Sequence, residues 1–167
     1  MIGWWKGTRM HFFMEQLLSN YPLMSAVLAW FVAQVIKTAI DAYFNKGINW
    51  ERMTGSGGMP SSHSSTVVSL AIATGISYGV DSTLFAIALI FAIVVMYDAT
   101  GVRRETGKQA VILNRLLLDN PFSWTGKEFE KKLKEYVGHS PFQVLMGAIL
   151  GILIAVIMAY VYGLIMI

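Results

Sequence analysis

PFQVLMGAILGILIAVIMAYVYGLIMI, residues 141–167, carries no charged side chain from end to end. A bilayer span needs roughly 17–25 predominantly apolar residues, so this stretch is long enough to cross a membrane as a helix. Three upstream stretches read the same way. Residues 22–44 are uncharged from Leu23 to Ile36, before Lys37 and Asp41 appear. Residues 64–80 hold no charge, and residues 82–99 hold only Asp98, at the far end. The last two are at the short end of the range, and Tyr78-Gly79-Val80-Asp81-Ser82 between them suits a tight helical hairpin. Helices are expected throughout, because an open sheet cannot satisfy its backbone in lipid.

Composition agrees. The chain has 167 residues, of which 55% are apolar and 14% charged. A soluble domain averages about 25% charged residues. The absence of Cys excludes disulfides and thiolate metal sites. The start, MIGWWKGTRMHFFMEQLL, lacks an apolar run followed by a small-residue cleavage site, so a secretory signal is not expected. The fold class is an all-α integral membrane protein, a bundle of about four transmembrane helices with short amphipathic interfacial helices. Residues 1–167 form a single membrane domain.

Residues 1–20 mix Trp4, Trp5, Phe12 and Phe13 with Lys6 and Arg9, the composition of a helix lying among headgroups. Residues 100–140 form a polar loop with short helices over 107–118 and 127–137, separated by Asn120-Pro121. The second reads as a solvated charged face. The long loops 45–60 and 100–140 lie on one side of a four-span bundle. They hold Lys46, Arg52, Arg103, Arg104, Lys108, Arg115 and four more lysines, against Lys6 and Arg9 on the other side. The positive-inside rule places these loops in the cytoplasm, and the expected location is a bacterial cytoplasmic membrane.

GGMPSSHSS, residues 57–65, sets Gly, Ser and His where a helix is about to start. Helix starts attract anions through backbone N–H groups that have no partner within the helix. GHSP, residues 138–141, repeats the arrangement before the last span. His63 and His139 therefore lie at helix mouths on the same side. Asp98 closes an apolar run, where an ionisable group is costly and faces the protein interior or a wet cavity. Arg103 and Arg104 follow it, and an Arg fork matches phosphate oxygens two at a time. Lys37 and Asp41 share a helix face with Gln34 one turn earlier. Each has a plain structural alternative: polar loop histidines, an Asp98 ion pair that holds the bundle together, or a Lys37 that snorkels.

PSSH resembles the P-S-G-H motif of the type-2 phosphatidic acid phosphatase superfamily, which includes the vanadium-dependent haloperoxidases. GHSPFQVLMGAILG is similar to its G-H-x-x-x-D-V-x-x-G-x-x-x-G. With YDATGVRRETGKQA, the strings look like its small, divergent branch, over about Val27 to Leu153. The resemblance implies a membrane phosphohydrolase acting on a lipid phosphate, either phosphatidate-like or a polyprenyl phosphate or pyrophosphate. It implies His139 as the nucleophile that becomes phosphohistidine and His63 as the general acid. It implies phosphate contacts from Ser61, Ser62, Lys37 or Arg52, and Arg103 or Arg104.

The departures are specific. Ser62 replaces the motif Gly, Arg52 is followed by Met53, and Leu133 stands where an Arg precedes the nucleophile. Gln143 replaces the Asp that orients the nucleophilic His. Asp98 or Glu105 would have to supply that carboxylate. The alternative is a weak or inactive relative that binds or transports a lipid phosphate. No cofactor, metal or nucleic-acid partner is expected; the partners are the bilayer and the lipid phosphate, and a homodimer stays open.

Overall fold

The computed structural model describes residues 3–45, 58–118 and 138–165. The elements are α1 (Gly3–Ser19), α2 (Tyr21–Asn45), α3 (Ser62–Tyr78), α4 (Thr83–Thr100), α5 (Val102–Leu118) and α6 (Pro141–Val161). The described residues contain no strand, and the protein is all-α. Arg52 and the helix expected over 127–137 lie outside the described residues. The expected 107–118 helix starts earlier, at Val102, and the last apolar helix ends at Val161, short of Ile167.

The helix starts follow from their caps. Ser61 Oγ accepts from Ser64 N–H, and Ser82 Oγ accepts from Phe85 N–H. Ser140 and Gln143 form a reciprocal capping box, with Pro141 in the first turn. Such caps satisfy N–H groups that the helix itself leaves without partners. Gly79, at φ 85°, turns the chain between α3 and α4.

Helix α3 occupies the centre and packs on α2, α4 and α6, while α2 also packs on α6. Helix α1 touches α2, and α5 touches α4. The helical runs Tyr21–Asn45, Thr83–Asn114 and Pro141–Val161 are long and apolar enough to cross a membrane. With 17 residues, α3 rises about 25 Å, close to the lower limit for a span.

The core is built from small residues. Ala29, Ala33, Ala73, Ala155 and Ala159 are fully buried, as are Ser64, Ser65 and Ser69. The large side chains Ile87, Ile90, Phe91 and Val94 of α4 point outward. This inversion suits a lipid solvent, in which association depends on close backbone approach rather than on hiding apolar surface. At Gly147 an added Cβ would strike the Ser61 carbonyl oxygen, and at Gly151 it would lie 2.5 Å from that of Ser65. The α6 backbone thus lies directly on that of α3.

Candidate functional site

Four helix ends meet beside the C-terminal half of α2: the C-terminus of α4 and the N-termini of α3, α5 and α6. Three contacts define the meeting. Ser61 N–H donates to the Gln143 carbonyl at 3.1 Å, and His139 N–H donates to the Ala99 carbonyl at 3.0 Å. A Cβ at Gly58 would lie 3.0 Å from the Lys37 side chain, so the loop before α3 runs against that lysine.

Gly138 fastens the fourth side. It sits at φ 93°, and a Cβ there would come within 2.5 Å of Arg104 N and 2.7 Å of Arg103 C. Only glycine fits both the left-handed backbone and the close approach. The start of α5, with its two arginines, is thereby held against the loop that carries His139.

His139 is 6% exposed and Lys37 4% exposed, whereas His63 is exposed. Burial pushes the His139 imidazole below the ordinary histidine range. Its hydrogen bond with Gln143 pulls the other way, and the charges of His63, Lys37 and Arg103 add to the lowering. These four groups from four elements share one electrostatic neighbourhood.

The other candidates have distinct surroundings. Asp98 accepts from Arg103 Nε across a partly exposed ion pair. Glu105 pairs with Lys108 at 2.6 Å on the surface of α5. The ring partner of His139 is instead Gln143, whose Oε1 lies 3.2 Å from Nδ1. Ser61 is fully buried and Ser62 5% exposed. The Ser61 hydroxyl caps α3 and also accepts from Ser64 Oγ at 3.0 Å. A ligand at this helix start would therefore meet backbone N–H groups more readily than the Ser61 hydroxyl. Arg104 is exposed, with its backbone against Gly138. Among the described residues no cluster of three His, Asp or Glu side chains could hold a metal ion.

Sequence reasoning treats Gln143 as a departure and misses it as a contact. A signal exists: Ser140-x-x-Gln143 has capping-box spacing, and Gln143 lies one helical turn after His139.

A family model described as Divergent PAP2 family matches residues 18–154, a range that takes in both histidine loops and every described candidate above. The chain belongs to the Divergent PAP2 family. It is also 43% identical over 156 residues to the uncharacterized membrane protein YuiD of Bacillus subtilis (strain 168). That match covers 88% of this chain and 99% of the relative. No solved structure matches the chain. This Divergent PAP2 family member is thus an all-α integral membrane protein related to the PAP2 phosphatases. Its histidine loops come together across helices far apart in sequence.

Proposed function

We propose that the protein is a membrane phosphohydrolase acting on a lipid phosphate monoester or pyrophosphate. The observation that carries this reading is the convergence of His63, His139, Lys37 and Arg103 at three helix N-termini. Helix N-termini and cations stabilise the charge of a phosphoryl group. A neutral His139 is suited to attack, because nucleophilic catalysis needs the unprotonated ring.

In the proposed reaction, His139 forms an N–P bond as the P–O bond to the alcohol or phosphate leaving group breaks. Protonated His63 gives its proton to the departing oxygen. His63 then takes a proton from water, whose oxygen attacks phosphorus. The N–P bond breaks, and inorganic phosphate and neutral His139 result. Lys37 and Arg103 hold the phosphoryl oxygens, and Asp98 orients Arg103. Arg52, Ser62 and Arg104 remain candidate contacts. The loop charge favours a cytoplasmic mouth that meets inner-leaflet lipid.

The test is phosphate release by detergent-purified protein from phosphatidate, polyprenyl phosphate and polyprenyl pyrophosphate. His139→Ala is expected to abolish release, and His63→Ala to reduce it by about 10²–10⁴-fold, the usual worth of general acid–base catalysis. Equal background release by wild type and both variants would sink the reading.

Gln143 favours a second reading, a protein that binds or moves lipid phosphate without turnover. An amide cannot neutralise an imidazolium as a carboxylate does. In a Ser-His-Asp triad, the corresponding Asp→Asn change costs about 10⁴ in rate. Vanadate binding that depends on His139, with no turnover, would select this second reading. For orientation, Gln109→Cys places a thiol on an exposed face of α5 in a chain without other Cys. Its labelling in intact cells by an impermeant reagent would overturn the cytoplasmic placement.

A further inference from the structure

We propose that Gln143 is a positioning residue that locks His139 in one tautomer, with the proton on Nδ1 and the lone pair on Nε2. Gln143 Oε1 accepts from the Ser140 backbone N–H at 3.1 Å. A backbone N–H can only donate, so the atom facing it must be the amide oxygen. The same oxygen lies 3.2 Å from His139 Nδ1. An amide oxygen can only accept, so Nδ1 must carry hydrogen when the ring is neutral. Nε2 is left as the nitrogen able to attack or to accept.

The lock is built into the helix start. Gln143 N–H donates to Ser140 Oγ at 3.3 Å, completing the capping box. Pro141 fixes the first turn. His139 N–H donates to the Ala99 carbonyl at 3.0 Å, which fixes the backbone that carries the ring. One amide oxygen thus caps α6 and sets the proton of the histidine before it. The lock is electrically neutral. Among the described residues, the charged or titratable groups that act on His139 from other elements are Lys37 on α2, His63 on α3 and Arg103 on α5. All three oppose protonation, and the amide brings no carboxylate to counter them. The Nδ1–H tautomer gives the proposed nucleophile its reactive nitrogen, and its importance rests on the phosphohydrolase reading.

The test needs no turnover. Long-range ¹H–¹⁵N correlation spectra of the full chain in detergent, without substrate, report which ring nitrogen of His139 is protonated. The His139 signals are assigned by their loss in His139→Gln. Wild type at pH 8 is expected to show protonated Nδ1 and unprotonated Nε2. The Nε2–H tautomer as the dominant species would overturn the lock, whatever the enzyme assays give. Gln143→Leu is expected to release Nδ1 and populate the Nε2–H form; retention of the Nδ1–H form would also overturn it.

Gln143→Glu keeps an acceptor for both the cap and the ring, which guards against a Leu variant that does not fold. It is expected to restore the Nδ1–H form and raise the His139 titration midpoint by about 1–3 units, the effect of an adjacent opposite charge. An unmoved midpoint would refute the contact. Ser140→Ala removes the cap hydroxyl but keeps the backbone N–H. It is expected to lower the melting temperature while leaving the tautomer in place, and a changed tautomer there would show that the hydroxyl, not the amide oxygen, sets the proton.

Discussion

Helices α3 and α4 are the two arms of one hairpin, with 17 and 18 residues. Helix α3 reads SHSSTVVSLAIATGISY and is the more polar, yet it is the central helix, buried by three neighbours. Helix α4 reads TLFAIALIFAIVVMYDAT, and its buried residues are the alanines Ala88, Ala92 and Ala99. In water the more apolar arm would be the one at the centre. Here lipid takes up the large apolar side chains, and the space between helices goes to Ser, Ala and Gly. One of these hydroxyls bonds to a neighbouring helix, where Ser65 Oγ donates to the Ala29 carbonyl at 3.2 Å. The more polar arm is also the one that brings a histidine to the site.

The contrast is broken most severely at the α3–α6 crossing. Gly151→Leu places a branched side chain against the Ser65 carbonyl and Ser69 N. The overpacking cost is about 1–3 kcal/mol or more, seen as a large drop in melting temperature in detergent or as loss of folded protein. A wild-type melting temperature would mean that α6 does not cross α3 there. Ser65→Ala removes one buried hydrogen bond and is expected to cost about 1 kcal/mol. No loss of stability would argue against the Ser65–Ala29 contact.

Burial at the polar end should also be visible in pH. The folded His139 has its proton affinity lowered by burial, so below about pH 6.5 the unfolded chain binds more protons than the folded one. Stability is therefore fully present above that value and falls as pH drops toward the folded-state midpoint. His139→Gln is expected to flatten the dependence of melting temperature on pH between about 7.5 and 5.5, the window around the unfolded histidine midpoint. An equal slope in the variant would remove His139 as its cause.

The outer arm gives the smallest effect. Ile90→Ala on α4 changes a side chain 60% exposed to the surroundings. It is expected to stay within about 0.5 kcal/mol of wild type, as surface substitutions do. A loss of several kcal/mol would reveal a protein partner on that face in place of lipid.

Much of this architecture is legible in sequence, for physical reasons. Lipid demands long apolar runs, so α2, α4 and α6 announce themselves by length and lack of charge. Caps demand particular side chains, and Ser61, Ser82 and Ser140 mark the starts of α3, α4 and α6. The central place of α3 is hidden, because hydropathy measures preference for lipid and α3 is surrounded by protein. The meeting of Gly138 with Arg103 and Arg104 is hidden too, since no periodicity links residues so far apart in the chain. In sequence Gln143 reads as a missing carboxylate. Only the folded chain ties its oxygen to both a backbone N–H and a ring nitrogen.

At the end of the bundle away from the histidines, Tyr21 donates its hydroxyl proton to the Ala155 carbonyl at 2.8 Å, and Tyr162 donates to that of Leu18 at 2.6 Å. The two rings also lie against each other, with centroids 5.5 Å apart. These tyrosines act as a latch across α1, α2 and the C-terminal end of α6. The consequence is mechanical: α2 is tied to α6, and the end of α6 to α1, by hydroxyl-to-carbonyl bonds, so this end of the bundle is held by directed bonds as well as by packing.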